Sequence, residues 1–348
     1  MSNIPQQIPE GAIRYNTDSN KMEVWIGEKW MQVAVSSPNL GDTQSPAGTR
    51  GIFSQGTVPG GGQTGIHDYI TLSTRGNAIE FGDTNAIYAQ GCCADRTRGL
   101  FAGGDSPATQ DIDFVTIAST GTYADSGADL NGCQMYNEGL SSGTRGVFAG
   151  GFNPGYLNVI DFVTIQSLGN ANDFGDLNEQ KFGMAACSNP TRGLYMGGAT
   201  SGTENDPANQ KVNIDYITIA STGDAQDFGD LSEMRSQAGA GSNSIRGIVF
   251  GGRYAPTQTI IDFVNIATLG NTSTFGTLSR SETRDGGAMA SSTRAAHAGG
   301  DNLFPSTVNP VNTIEYVEIS TQGNAVDFGD LTQARKHLSG LSNGHGGL

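Results

Sequence analysis

Positive charge is scarce in this chain: 19 Lys and Arg stand against 34 Asp and Glu among 348 residues, a formal charge of −15. A phosphate backbone is bound through clustered cations, and here they are scattered singly with no basic run, so nucleic acid is not an expected partner. Long apolar segments are also missing, which removes the basis for a spanning helix or membrane insertion. The first ten residues are polar and contain Pro5 and Pro9, with no secretory apolar core, so synthesis in the cytoplasm without a signal peptide is expected.

Cysteine and histidine are equally sparse. Cys92, Cys93, Cys133 and Cys187 have no metal-ligand spacing, and Cys93 and Cys187 stand where other copies of a recurring phrase have small residues. They read as buried small thiols, not as a zinc site or a disulfide framework. His67, His297, His337 and His345 fall at unrelated positions and form no His-Glu-x-x-His motif, so neither a metal nor another cofactor is expected. His297 is the one imidazole placed for chemistry, and no catalytic residue is assigned.

Glycine is abundant, with 51 residues, and it is ordered by a repeat. The phrase Thr191-Arg192-Gly193-Leu194-Tyr195-Met196-Gly197-Gly198 recurs from end to end, its Arg returning as Arg50, Arg98, Arg145, Arg192, Arg246 and Arg294. A second phrase follows each copy: Ile160-Asp161-Phe162-Val163-Thr164-Ile165 is echoed at Ile112, Ile214 and Ile261, more loosely from His67 and as Ile314-Glu315-Tyr316. A third, Asp173-Phe174-Gly175-Asp176-Leu177, returns at Asp227 and Asp327. Short alternating runs of β-branched and aromatic residues predict strands. In the fourth unit these cover 182–188, 192–197, 213–220 and 225–231.

Four short strands per unit with a Gly-Gly after the second resemble the blade of a kelch-type β-propeller. Gly103-Gly104, Gly150-Gly151, Gly197-Gly198, Gly251-Gly252 and Gly299-Gly300 fill the diglycine position, while the first unit has Gln55-Gly56. Phe174, Phe228, Phe275 and Phe328 stand near where kelch repeats carry Trp, so the resemblance is to a divergent member. No innermost-strand phrase precedes Arg50, yet residues 335–343 repeat the phrase of 181–189 after the sixth unit. The expected fold is therefore all-β: residues 49–348 form a six-bladed propeller whose C-terminal strand completes the first blade. Removing the last dozen residues is expected to open the ring.

Residues 1–35 differ from the rest. Gly11-Ala12-Ile13-Arg14-Tyr15-Asn16-Thr17, a polar turn, and Lys21-Met22-Glu23-Val24-Trp25-Ile26 predict a β-hairpin or meander continued by Trp30, and 36–48 reads as a linker. Both tryptophans lie here, in a segment too small to bury them alone. This wording resembles the N-terminal modules of tailed-bacteriophage fibre and virion appendage proteins. The resemblance implies location in the virion, attachment to other virion proteins through Tyr15, Trp25 and Trp30, and a homotrimer as one assembly option.

Residues present once per unit, such as Arg192 and Asp215, read as bonds within and between units, because a catalytic residue is needed only once. The acidic turns at Asp83, Asp176, Asp230 and Asp330 offer too few carboxylates for a calcium cage and read as solvated turns. The segments after the diglycines vary most and hold the ligand candidates Phe152, Asn153, Tyr156, Tyr254, Asn302 and Phe304, types suited to saccharide or protein surfaces. Together with the resemblance, these features imply a non-enzymatic phage tail fibre or appendage subunit that displays a propeller to a host-surface glycan or protein. A purely structural capsid decoration or baseplate connector, and a polysaccharide-degrading enzyme, remain as alternatives.

Overall fold

The computed structural model describes residues 9, 11–16, 21–26, 29–32, 49–132, 135–201, 207–253, 259–280, 284–302 and 309–348. The chain divides into two compact units, 1–43 and 44–348. The first holds a three-stranded antiparallel sheet of Ile13–Asn16, Lys21–Ile26 and Lys29–Gln32, with Ile13 opposite Val24 and Val24 opposite Met31.

The second unit is all-β apart from one short 3-10 turn among the described residues, and it contains six four-stranded antiparallel sheets that are propeller-like blades. The fourth blade runs Ala185–Ser188, Arg192–Met196, Asn213–Thr218 and Gln226–Asp230, each strand paired to the next. Its third strand is buried at Ile214, Asp215 and Ile217 and exposed at Thr218, so alternation is broken at Asp215, which is buried next to Ile214. The expected innermost strand is three residues too long. Gly183 takes a left-handed φ of +57°, which interrupts pairing and leaves Phe182 in an isolated bridge to Ala199.

The first blade is assembled from both ends of this unit. Ser339–Ser342 pairs with Arg50–Thr57, placing Leu341 opposite Ile52, and Gln63–Thr71 and Ile79–Asp83 complete the sheet. Ser339–Ser342 also neighbours the innermost strands of the sixth and second blades, Gly287–Ala290 and Gly91–Ala94.

Neighbouring blades are joined by the repeated Arg. Arg98 Nη1 donates to the carbonyls of Ile165 and Gln166 in the next blade, both at 3.0 Å, and Arg192 reaches Ile266 O at 2.9 Å. Arg294 of the sixth blade reaches Leu72 O and Ser73 O of the first. Each guanidinium also lies over an aromatic ring of its own blade, as Arg192 does over Tyr216 at 4.6 Å. The repeated acid works within the blade, where its partner is a cation just before the innermost strand. Lys181–Asp215, Arg235–Asp262 and Arg335–Asp68 are paired at 2.7–2.8 Å with all six side chains at most 1% exposed.

The glycine that follows the repeated Arg in the first five units is a socket for a side chain of the preceding blade. A Cβ on Gly193 would lie 2.6 Å from Leu140, one on Gly146 2.6 Å from Cys93 Sγ, and one on Gly247 2.7 Å from Cys187 Sγ. These two cysteines are free, buried and used as small apolar knobs; Cys133 lies outside the described residues. In the fifth blade the knob position is Gly241, and the facing socket in the sixth carries Ala295 in place of glycine. Gly193→Ala should therefore cost about 1–3 kcal/mol in urea unfolding. Leu140→Ala should recover part of that loss in the double variant; strictly additive effects would refute the socket.

Candidate recognition face and axial mouth

At one end of the innermost strands, five residues before the last residue of each, stand Ala89, Tyr136, Gly183, Gln237, Asp285 and His337. All six have positive φ, between 54° and 59°. Their backbones form a ring of hydrogen bonds: Tyr136 N donates to Ala89 O, Gly183 to Tyr136, Gln237 to Gly183, Asp285 to Gln237, His337 to Asp285 and Ala89 to His337, at 2.6–3.3 Å. Only one of the six is glycine. A left-handed conformation costs other residues about 1–2 kcal/mol each, so the ring geometry is held by its surroundings.

This ring frames the mouth of a depression on the axis, about 660 Å³ including the space open to solvent. Tyr136, Gln237, Asp285 and His337 line it, with Glu138 of the third blade in the same half of the channel. Burial opposes the Asp285 charge, but His337 Nε2 at 3.1 Å and Arg284 at 3.7 Å outweigh it and hold the carboxyl below its ordinary range. Glu138 has no such neighbour, and burial pushes its carboxyl well above the usual range. Gln237 is 8% exposed and Gln90 6%, and the amide oxygens of both lack a hydrogen-bond partner.

Aromatic rings lead outward from this mouth. His337 and Tyr136 centroids are 5.9 Å apart, Tyr136 and Phe182 5.9 Å, Phe182 and Tyr156 5.3 Å with near-parallel planes, and Tyr156 and Phe152 5.3 Å. Tyr88 borders the same mouth 5.4 Å from His337 and donates its hydroxyl to Asp105 at 2.7 Å; burial, then that carboxylate, raises the phenol to about 12.

The opposite end of the channel is occupied by the segment after Ser342. His345 Nδ1 accepts from Gly347 N at 3.1 Å, which leaves Nε2 to donate to Ala94 O at 2.8 Å. Burial lowers its basicity. A side chain on Gly346 or Gly347 would collide with the backbone of Asn243 or Ser141.

Of the ligand residues expected from sequence, Phe152, Asn153 and Tyr156 come together in one loop, half-buried, with Phe152 bridged to both Met135 and Tyr156. Asn302 pairs through its backbone with Asn309 in a small hairpin, and Tyr254 and Phe304 lie outside the described residues. In the N-terminal unit the three attachment candidates split between faces. Tyr15 is 56% exposed beside Ile13, Ile26 and Met31, whereas Trp25 and Trp30 meet edge-on at 5.3 Å on the other face, with Arg14 over Trp30 at 4.1 Å. The tryptophans thus find their partners within the small sheet. His297, the expected candidate for chemistry, is fully buried against Phe250. The mouth residues escape sequence reading because they share a repeat phase but no residue type. Among the described residues no group of three His, Cys, Asp or Glu has a metal-binding arrangement.

Searches with the sequence match no protein-family model and no curated protein.

His67 and His297 supply a test of the core. Both are lowered to about 3 by burial, aided by Arg335 and Arg280 respectively, and both ring nitrogens of each lack partners. The unfolded chain takes up protons below pH 6.5 and the native state only near 3. Their contribution is therefore whole above pH 6.5 and is lost as pH falls from 6.5 towards 3, by about 1.4 kcal/mol per pH unit for each residue. The equivalent positions are Ile160 and Phe148. His67→Ile with His297→Phe should move the acid-unfolding midpoint, followed by circular dichroism, to lower pH; an unmoved midpoint would contradict the assignment.

Proposed function

We propose that this chain is a virion structural protein of a tailed phage, an appendage subunit that carries a recognition domain. In this reading residues 49–348 are a six-bladed, kelch-like propeller closed by Ser339–Ser342, and the face holding the axial mouth and the 152–158 loop meets a glycan or protein on the host surface. The observation that carries recognition is the run of aromatic rings from His337 to Phe152, partly exposed except for the buried Phe182 and mounted on a hydrogen-bonded ring that does not need a ligand to order it. The virion assignment rests on the likeness of 11–17 and the following strand to fibre N-termini. A small sheet with Ile13, Tyr15, Ile26 and Met31 exposed on one face suits attachment to other virion proteins.

A second reading, cleavage of surface polysaccharide, draws on one observation. Glu138 and Asp285 line the same depression with carboxyls shifted in opposite directions, the condition for a protonated general acid and a separate ionised carboxylate to work in one site. A capsid decoration or baseplate connector would instead bury the mouth face in the particle.

Binding of the fluorescently labelled full chain to intact candidate host cells tests the recognition role. Saturable binding, weakened about tenfold or more by Phe152→Ala with Tyr156→Ala, is expected. A folded chain that binds no candidate host, even when tethered as a multimer, would favour the purely structural role. Release of reducing sugar from the cell surface, abolished by Glu138→Gln, would favour the enzyme.

A further inference from the structure

The mouth is rich in unanswered acceptors. The amide oxygens of Gln90 and Gln237 are buried without partners, and Glu138 has no ion-pair partner among the described residues. Leaving such groups dry is costly, so a ligand that brings several hydroxyl donors gains from each. A cation would also suit acceptors, but the one charged carboxylate there, Asp285, is already held by His337 and Arg284, and burial keeps Glu138 towards its neutral form. An anion would meet unpaired oxygens on a chain of charge −15. The partly exposed rings of Tyr136 and His337 offer apolar contact beside these acceptors. Hydroxyl donors and flat C–H faces belong together in a pyranose ring.

We propose that the axial mouth is a carbohydrate site that receives one uncharged pyranose over Tyr136 and His337, while the following sugars of the chain lie along Tyr156 and Phe152, with the buried Phe182 stacked against Tyr156. This rests on the recognition role above and narrows it to neutral glycan. Gln90, Gln237 and Glu138 accept from the sugar hydroxyls, and the aromatic run sets the direction of the chain across the face. A retained side chain at Tyr136 and Gln237 has a ready explanation: glycine would remove the left-handed strain there, as at Gly183, but would remove the sugar contacts too.

The strain provides a clean test. Tyr136→Gly and Gln237→Gly should leave the melting temperature unchanged or raised, whereas a purely structural role would lower it. The full chain and these variants are applied to immobilised dextran, mannan, galactan and chitohexaose, with polygalacturonate and heparin as anionic comparisons. Host cells that bind the chain are tested in parallel after periodate oxidation or proteinase treatment. The expected result is retention on at least one neutral glycan, at least about tenfold weaker for each glycine variant, with cell binding lost to periodate and kept after proteinase. Retention on the anionic polymers alone, or glycine variants that bind as the parent does, would overturn the site. Cell binding that survives periodate and is lost to proteinase would overturn it while leaving host recognition intact, with protein as the ligand. Absence of binding to any cell and any glycan would overturn both.

Discussion

Everything on the face that holds the axial mouth depends on the ring of six backbone hydrogen bonds that joins residues 89, 136, 183, 237, 285 and 337. Each bond links one blade to its neighbour, so a tilt of any blade strains the whole ring. The Arg contacts to the next blade's carbonyls and the bonds from each turn to the preceding outer strand, such as Gly223 N to Phe174 O at 2.7 Å and Gly76 N to Phe328 O at 3.0 Å, repeat the same linkage farther from the axis. Three concentric sets of polar bonds therefore hold the blades, while the space between them is filled by knobs in glycine sockets. Non-glycine residues can stay left-handed at the mouth because this framework leaves them no alternative.

Charge is handled with the same economy. The buried acid of the third strand receives a cation from the same blade in Lys181–Asp215, Arg235–Asp262 and Arg335–Asp68. In the second blade the cation position is Ile87, and Asp113 shows the consequence: burial, then Asp125 and Asp111, raise its carboxyl to about 6. Pairing one acid with one cation inside the first, fourth and fifth blades keeps a strongly acidic chain from placing lone charges in those parts of its core.

Most of the framework was legible in the sequence because it is periodic. The Arg phrase located the second strand of every blade, the Ile-Asp-Phe phrase the third, and the match between 335–343 and 181–189 anticipated that Ser339–Ser342 would join Arg50–Thr57. What was hidden was whatever varies at a fixed phase. The mouth positions read Ala, Tyr, Gly, Gln, Asp and His, and nothing in those letters reveals that all six share one backbone conformation. Lys181 and Arg235 are separated from their acids by two intervening strands and Arg335 from Asp68 by 267 residues, so the pairing emerges only from the fold. The contact between Trp25 and Trp30 was hidden for a different reason, since it follows from the cross-strand register across a short turn.

Completion of the first blade by Ser339–Ser342 sets a timetable for biosynthesis. Arg50–Thr57 leaves the ribosome early but has no neighbour on its inner edge until a strand some 280 residues later arrives. At roughly 5–20 residues per second, that edge stays open for about 15 to 60 seconds. Its interior, with Ile52 and Phe53 fully buried in the finished protein, is the kind of apolar edge that recruits other chains. The bond that makes the ring stable also makes nascent chains vulnerable to one another, and crowded polysomes are where that vulnerability is greatest.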